Sequence, residues 1–594
     1  MALSLRAVSH AGACILATYY AHSFFSDRKR GDKFIRYISS FPFVRQFIDS
    51  KIEGELGKML PGLIDERFEH VKLPDPDTFE RRIVLPDDGE TDAEVLARIA
   101  KIGHKNKDDT KISGAIYADE DKWRQLVGAI YAQSAWLNPT HNSIWPELTQ
   151  MEAEVYAMCS ELFGLPGNGN GVLTSGGTMS NIQAMYAYRN KAYVERYVTN
   201  PNIVAPRSAH TSFKKACEIL KIEYRMCGLD ENGQCNLYDL ISMVDRNTVC
   251  IVGSAPSFSY GIIDPLEQMA QYAESRGIGF HIDCCLGGFQ YPFLDDDGAT
   301  GDVGAGAGAG AGAGTGAGMT TISSKSSHID FRTPGVTSIS MDPHKFGQTP
   351  KGISVLLFRN AQIKKYLTFV DLKWDGGAYV MEGFPGSRPG ANVCILWAMM
   401  RKMGKNGYRR SAQNLIRKRE ELQRAIETEL AGDIYVFGNP RLSTLGIKSD
   451  KHNIHHINKV MTSYGWEFNG LPDGMHFCLT EKHNFAGFVT GFVSDLRNAI
   501  NHVITHPDED PGSMAKIYCT TQEIPECAES ILDEIGRAYI MIQNMLKPES
   551  LDGNDGGDDG DDGDDDNDGK SEVDDKGGAV DDDVEDEVQV EDLD

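Results

Sequence analysis

Between residues 164 and 358 the chain alternates short apolar runs with stretches of helical periodicity. This alternation is typical of an α/β domain with a mostly parallel sheet, because a helix connects each strand to the next. Ligands of such sheets bind at the carboxyl ends of the strands. The predicted strands cover residues 203–205, 249–253, 279–283 and 336–341, and the predicted helices cover 181–194, 213–220 and Leu266–Arg276.

On both sides of this region the pattern is more mixed. On the N-terminal side, helices are predicted at 92–102 and 148–163. On the C-terminal side, a helical region at 393–430 is followed by strand-like runs at 434–437 and 475–479 and by helices at 487–504 and 530–546. We therefore predict five parts: an anchor or targeting segment (1–33), an N-terminal extension that contributes to the site (34–163), a large domain (164–392), a smaller C-terminal α/β domain (393–548) and a disordered acidic tail (549–594).

Two segments lack the apolar side chains that build a core. Residues 295–330 contain a Gly-Ala repeat, which predicts a flexible surface insertion in the large domain. Residues 551–594 contain 22 acidic residues against 2 lysines, which accounts for −20 of the net charge of −27. The tail is therefore predicted to be disordered. The rest of the chain has too little positive charge to predict nucleic-acid binding.

The N-terminal residues 7–25 carry no charge and would span roughly 28 Å as a helix, enough for a bilayer core. Four basic residues follow (Arg28, Lys29, Arg30, Lys33), against Arg6 alone before the stretch. This asymmetry would keep the following chain in the cytosol if the segment is a membrane anchor. A cleaved signal peptide and an organellar transit peptide are the two alternatives.

The cysteines give a prediction about the compartment. Twelve of them are scattered along the chain, without the paired spacing of a zinc site and without the pattern of a disulfide framework. We therefore predict reduced thiols in an intracellular protein, and we predict no metal site.

Candidate chemistry is concentrated in residues 335–352, where a β-rich run ends in a polar turn and a second apolar run follows. The turn contains His344 and Lys345 and leads to Lys351. A turn between two strands presents a side chain at the end of a sheet. A lysine in this position suits covalent attachment of a carbonyl cofactor, although a solvated surface lysine is the ordinary alternative.

Three other segments place polar groups after predicted strands. Gly177 and Thr178 belong to a Thr-Ser-Gly-Gly-Thr loop before a helix, where free backbone N–H groups and the helix dipole favour a phosphate. Asp283 ends a strand and would keep a pyridine nitrogen protonated. His210 precedes a helix and could stack on a planar ring. Together with Lys345, these groups indicate pyridoxal 5'-phosphate.

These motifs resemble those of sphingosine-1-phosphate lyases, in the decarboxylase-like group of fold-type-I pyridoxal phosphate enzymes. The resemblance runs through most of residues 34–548. It is carried by segments at 113–117, 138–141, 174–178, 203–210, 281–289, 335–340, 344–345, 350–352, 386–390 and 436–440. It implies a fold-type-I large domain with a mostly parallel sheet and a smaller C-terminal α/β domain.

The resemblance also implies roles for individual residues. Lys345 would hold the cofactor covalently, Asp283 would pair with its ring nitrogen, and His210 would stack on the ring. The phosphate would be bound by Gly177, Thr178 and His344, with Ser387 as a further cofactor contact. Proton transfer and contact with the substrate phosphate would be shared among Lys351, Tyr117 and His141.

The implied reaction is cleavage of the C2–C3 bond of a phosphorylated sphingoid base, giving a long-chain aldehyde and phosphoethanolamine. The family implies a homodimer, with Tyr117 and Ser387 acting across the interface, in the endoplasmic reticulum membrane with the catalytic domain facing the cytosol. A mitochondrial or soluble cytoplasmic location is the alternative. The alternative activity is decarboxylation of glutamate or an aromatic amino acid.

Overall fold

The computed structural model of the 594-residue chain describes residues 89–100, 108–118, 120–165, 170–294 and 329–509. The segment 1–33, almost all of the Gly-Ala insertion, the predicted helix at 530–546 and the acidic tail lie outside the described residues. Within the described part, no helix is long and apolar enough to cross a bilayer.

Helices and strands alternate through the middle of the described chain, as the apolar pattern predicts. The helices are α1 (Asp92–Ile99), α2 (Glu120–Ser134), α3 (Pro146–Leu162), α4 (Gly177–Arg196), α5 (Ser212–Leu220), α6 (Leu237–Met243), α7 (Leu266–Arg276), α8 (Ala361–Lys364), α9 (Gly390–Glu429), α10 (Ile454–Ser463) and α11 (Phe488–Thr505). The strands are β1 (Gly171–Thr174), β2 (Asn202–Pro206), β3 (Glu223–Cys227), β4 (Thr248–Ser254), β5 (Gly279–Cys284), β6 (Ser338–Met341), β7 (Ser354–Phe358), β8 (Thr368–Asp371), β9 (Tyr379–Glu382), β10 (Tyr435–Val436), β11 (Thr444–Lys448), β12 (Asn469–Leu471) and β13 (Gly474–Cys478).

The central sheet has seven strands in the order β1-β7-β6-β5-β4-β2-β3. Strands β6, β5, β4, β2 and β3 are parallel to one another. Strand β7 is antiparallel to both of its neighbours, β6 and β1. Because β7 is antiparallel to both β6 and β1, strand β1 runs in the same direction as the parallel strands. The prediction of an α/β fold with a mostly parallel sheet is confirmed.

Burial explains the apolar runs that predict several of these strands. Every residue of β1, β2, β4, β5, β6 and β7 is buried, because helices cover both faces of a parallel sheet. The edge strand β3 is different, since only Cys227 of its five residues is buried. It has no continuous apolar run, and the sequence pattern therefore does not predict it.

A second sheet, in the order β10-β11-β13-β12, lies in the C-terminal part of the described chain. Its core includes Phe477 from β13, Trp466, and Phe492 from α11. Helix α9 leads to this region and is broken at Gly404, whose φ of 58° favours glycine. The observed sheet agrees with a smaller α/β region, while the exact domain limits stay a prediction.

Candidate functional site

Four of the predicted site segments lie at one edge of the central sheet. The chain leaves β1 at the phosphate loop, β2 before His210, β5 at Asp283 and β6 before Lys345. All four strands run in the same direction, so their carboxyl ends meet at this edge. Strand β7 runs the opposite way and therefore begins here, at Ser354, shortly after Lys351. The topology thus brings together residues that are far apart in the chain.

Lys345 is held by a buried carboxylate in the turn after β6. Its Nζ lies 3.0 Å from Oδ2 of Asp342, whose side chain is only 2% exposed. Burial lowers the pKa of Lys345, but the attraction of Asp342 outweighs it and the net shift is upward. The amine is therefore protonated at neutral pH, and Asp342 holds it in the turn.

The phosphate loop packs directly against this lysine turn. A β-carbon added to Gly177 would lie 2.7 Å from Oδ2 of Asp342 and 2.7 Å from Sγ of Cys285, so any larger residue would collide there. Gly176 is the N-cap of the 20-residue helix α4. Because it has no side chain, it leaves the first N–H groups of the helix, those of Gly177 and Thr178 among them, available to an anion.

His344 faces the same space. Its Nδ1 is buried without a hydrogen-bond partner in the described structure, and its Nε2 lies 3.5 Å from Oδ2 of Asp342. Burial lowers the pKa of this imidazole, so the ring is neutral at neutral pH. A buried nitrogen without a partner, beside free helix N–H groups, is the arrangement expected around a ligand that accepts hydrogen bonds.

A chain of hydroxyl groups fixes the phosphate loop to the lysine turn. Thr174 Oγ1 lies 2.7 Å from Ser180 Oγ, which lies 2.8 Å from Ser354 Oγ. Ser354 then donates to the carbonyl oxygen of Met341 at 3.1 Å. All three hydroxyls are buried. The bonds link the end of β1, the first turn of α4, the start of β7 and the end of β6.

Asp283 is a buried carboxylate surrounded by donors. Its Oδ2 accepts from Asn181 Nδ2 at 3.2 Å, and its Oδ1 accepts from the backbone N–H of Cys285 at 3.1 Å. Burial alone would raise the pKa of Asp283, but the charges of His210 and His281 and the Cys285 bonds lower it below its usual value. The carboxylate is thus ionised, as a partner of a protonated ring nitrogen must be.

His210 is exposed at the start of α5, near enough to Asp283 to lower the pKa of that carboxyl. Its Nδ1 accepts from the backbone N–H of Ser212 at 3.2 Å, which fixes the ring beside the helix. The structure therefore places an anchored imidazole next to the carboxylate. Its stacking on a cofactor ring stays a prediction.

Tyr117 and Lys351 form a second group beside the lysine turn. The Nζ of Lys351 lies 4.4 Å from the centroid of the Tyr117 ring, and this ring meets Phe346 edge-on at 5.2 Å. Burial is the main reason why the pKa of Tyr117 is raised, although Lys345 lowers it. Tyr117 is therefore a neutral phenol that can donate a hydrogen bond.

His141 and Ser387 are drawn together by Asn138. The Nδ2 of Asn138 donates to Ser387 Oγ at 3.1 Å, and the backbone N–H of His141 donates to the carbonyl oxygen of Asn138 at 3.1 Å. His141 and Ser387 are both exposed, and the His141 ring contacts Trp145. The structure thus joins these two segments to each other through backbone and amide groups, while their catalytic roles stay predictions.

Arg388, which follows Ser387, anchors the loops that contain His141 and Ser387. Its guanidinium binds both carboxylate oxygens of Glu152. Glu152 in turn accepts a hydrogen bond from the Tyr156 hydroxyl at 2.7 Å. The hydroxyl oxygen of Tyr156 accepts from the backbone N–H of Leu173 in β1 at 3.0 Å. The loop containing Ser387 is therefore connected to the strand that carries the phosphate loop.

Sequence reasoning missed the residues that support the site. Asn181 joins Asp283 to His281, since its Oδ1 lies 3.2 Å from His281 Nε2, and His281 Nδ1 lies 2.7 Å from Ser338 Oγ. A signal was present in β6, where Ser338 and Ser340 alternate with apolar residues and so share one face. A polar face inside a buried strand indicates polar neighbours.

Comparisons with known proteins agree with this geometry. Residues 96–296 match the pyridoxal-dependent decarboxylase conserved domain. The chain is 33% identical over 495 residues to sphingosine-1-phosphate lyase 1 of Rattus norvegicus, covering 83% of this chain and 81% of that protein. A solved sphingosine-1-phosphate lyase of Burkholderia pseudomallei superposes with a TM-score of 0.65 at 30% identity, covering 73% of this chain and 95% of the other.

A solved glutamate decarboxylase of Lactobacillus brevis also superposes, with a TM-score of 0.56 at 17% identity over 73% of this chain and 96% of the other. At this identity the likeness shows the fold alone. It therefore gives the decarboxylase alternative no support beyond the shared fold.

The described residues fit pyridoxal 5'-phosphate, the cofactor that these comparisons imply. Its phosphate has the free N–H groups at Gly177 and Thr178 and the unpartnered Nδ1 of His344. Its ring nitrogen has the ionised Asp283. Lys345 would supply the amine for covalent attachment. The cofactor prediction is confirmed, and each assigned residue remains a prediction for mutagenesis.

Proposed function

Since the chain belongs to the sphingosine-1-phosphate lyase family, we propose that it cleaves the C2–C3 bond of phosphorylated sphingoid bases in sphingolipid metabolism. The products are a long-chain aldehyde and phosphoethanolamine. One observation carries the proposal beyond the family likeness: the lysine turn and the Tyr117–Lys351 pair lie side by side at the sheet edge. Cofactor attachment and substrate contact can therefore occur in one place.

Bound pyridoxal phosphate supplies an electron-withdrawing ring that takes up the electron pair of the broken carbon–carbon bond. The chain's part is to keep that ring in its most electron-withdrawing form. The ionised Asp283 does so by holding a proton on the ring nitrogen, and Asn181 and Cys285 hold the carboxylate in place.

Lys345 would hold the cofactor until the substrate amine replaces it, and its amine would then remain beside the cofactor site. The carboxylate of Asp342, 3.0 Å from Nζ, would hold this amine in its protonated form. This ion pair would therefore keep the amine in position during substrate entry and product release.

Tyr117 and Lys351 are suited to different contacts with the substrate. The neutral phenol of Tyr117 can donate a hydrogen bond to an oxygen of the substrate, whereas Lys351 is an exposed cation at the start of β7. A cation at the entrance suits the phosphate of the substrate. We assign Lys351 to the substrate phosphate and Tyr117 to a hydroxyl or phosphate oxygen.

The function is tested by incubating the purified protein, loaded with cofactor, with a phosphorylated sphingoid base. We expect a long-chain aldehyde and phosphoethanolamine in equal amounts. Separate incubations with glutamate and an aromatic amino acid control for decarboxylation. Release of carbon dioxide from an amino acid, with no aldehyde from the sphingoid base, would overturn the proposed function.

We further propose that the protein is a homodimer that uses the β8–β9 hairpin as part of its interface. Phe369, Trp374 and Val380 on or near this hairpin are 51%, 57% and 56% exposed. Phe369 and Trp374 both contact the ring of Tyr379 on one face of the hairpin, and Val380 lies on the other face. Large exposed apolar side chains concentrated on one short hairpin are typical of an interface. The hairpin leads directly to Ser387, so a partner seated on it would lie next to a predicted site residue.

The dimer is tested by analytical ultracentrifugation of the full chain. We expect the wild type to sediment as a dimer, and a Phe369→Ser and Trp374→Ser double variant to shift toward monomer. Tyr238→Ser is the matched control, because Tyr238 is 87% exposed on α6, away from the hairpin sequence. A monomeric and fully active wild type would overturn the interface.

We also propose attachment to the endoplasmic reticulum membrane through residues 7–25, with the catalytic part facing the cytosol. The support is the uncharged stretch and the basic residues that follow it. Deletion of residues 1–33 should release the protein from the membrane fraction of cells. A soluble full-length protein, or one found in mitochondria, would exclude this location.

A further inference from the structure

His456 is a buried histidine without a hydrogen-bond partner at one ring nitrogen. It lies in α10 and is 2% exposed, and its Nε2 is unpartnered in the described structure. A buried polar atom without a partner is uncommon and calls for an explanation such as a bound ion. This histidine belongs to the C-terminal core and has no part in the proposed reaction.

Two further side chains point to the same space. His502 lies in the last turn of α11 and Glu509 follows that helix. The Nε2 of His502 is 2.8 Å from Oε2 of Glu509, and the Nε2 of His456 is 3.9 Å from the same oxygen. All three ligand atoms lie within 4.8 Å of one another. Two imidazole nitrogens and one carboxylate oxygen thus converge.

We propose that His456, His502 and Glu509 form a binding site for a divalent transition-metal ion of the zinc type. Zinc is commonly held by histidine nitrogens and carboxylate oxygens at about 2.0–2.2 Å, often with an open position for water. In a tetrahedral site the ligand atoms are about 3.3 Å apart. The two distances to Oε2 of Glu509, 2.8 Å and 3.9 Å, lie below and above this value. The side chains of His502 and Glu509 are partly exposed and can move to the distances that the ion requires.

The surroundings also suit a cation. The site lies at the carboxyl end of α11, where the helix dipole favours positive charge. His506 stacks on the His502 ring with a centroid distance of 4.3 Å and supports its orientation. Lys459 lies 3.6 Å from Oε1 of Glu509, while the two histidines face Oε2. The lysine and the histidines therefore use different oxygens of this carboxylate.

The ion would fasten α10 and α11 to the chain that follows α11. These two helices pack against each other, and the ligands come from each helix and from the segment after them. The site would therefore stabilise the C-terminal region. It is independent of the proposed lyase activity, because it shares no residue with the site at the large sheet.

The test uses the untagged, full-length protein with its cofactor, stripped of metal and dialysed against buffered Zn²⁺. Millimolar Ca²⁺ is included to occupy the acidic tail, because Ca²⁺ binds carboxylates and has little affinity for imidazole. The variants are His502→Ala and Glu509→Gln, which alter partly exposed residues and leave the buried His456 in place. His452→Ala is the control, since its ring bonds to Asp433 instead.

We expect one zinc ion per wild-type chain, and at least a tenfold weaker affinity in both variants, with the control unchanged. Zinc should also raise the Tm of the wild type and of the control, and raise it less in the two variants. Equal zinc affinity in the wild type and both variants, or no zinc retained by the wild type, would overturn the site.

Discussion

Replacing Lys345 by alanine is expected to lower kcat by at least about 10⁴-fold, the scale on which loss of a covalent catalytic group acts. The variant should also lose the visible absorption of covalently attached cofactor. Both effects have one cause, because Lys345 is the residue that we propose to hold the cofactor covalently. The measurements are aldehyde formation from a phosphorylated sphingoid base and an absorption spectrum of the dialysed protein.

Lys351→Ala is the matched control, because Lys351 is a second lysine of the same turn region. It should retain the visible absorption while its KM for the phosphorylated substrate rises, since Lys351 is assigned to the substrate phosphate. The comparison separates cofactor attachment from substrate binding. If Lys345→Ala keeps its colour and Lys351→Ala loses it, the two roles are reversed.

Replacing Asp283 by asparagine is expected to lower kcat by about 10²–10³-fold, which is typical for loss of one preorganised electrostatic contact. Asparagine is nearly the same size and keeps an oxygen for the Cys285 N–H, but it carries no negative charge. The ring nitrogen of the cofactor would lose its proton-stabilising partner. The measurement is kcat at saturating substrate, in protein whose cofactor content has been confirmed.

Asp245→Asn is the control for this substitution. Asp245 is also hydrogen-bonded, to Asn202 and to the backbone of Asn247, but it precedes β4 and so lies at the opposite edge of the sheet. Its substitution should reduce stability without changing kcat per folded molecule. An Asp283→Asn protein with full activity would remove this residue from the mechanism.

The sequence predicted the site residues whose positions follow from local pattern. Lys345, Asp283 and Gly177 each come at the end of an apolar run, and parallel strands bring such ends together. The structure confirms their common edge. It also confirms the strands predicted at 203–205, 249–253, 279–283 and 336–341, which correspond to the buried strands β2, β4, β5 and β6. Strands that are covered on both faces are rich in apolar residues.

What the sequence did not predict depends on contacts between distant segments. Asn181 is a polar residue in a predicted helix, and its importance arises only when α4 packs against β5 and meets Asp283. Asp342 directly follows the strand predicted at 336–341 and carried no predicted role. In the structure it contacts Lys345, and the close approach of Gly177 gives it a second neighbour. The β8–β9 hairpin was missed because no residue of its two strands is buried, so the sequence has no apolar run or apolar face there.

The position of β1 at the end of the sheet has a consequence for synthesis of the chain on the ribosome. In the described sheet β1 pairs with β7 alone, so residues 171–174 meet their partner only after residues 354–358 have been made. About 180 residues, including the whole Gly-Ala insertion, must therefore be translated before β1 can pair with β7. Nascent chains that stop before residue 358 should be unable to retain the cofactor, and apolar residues of β1 would be exposed to chaperones during that interval.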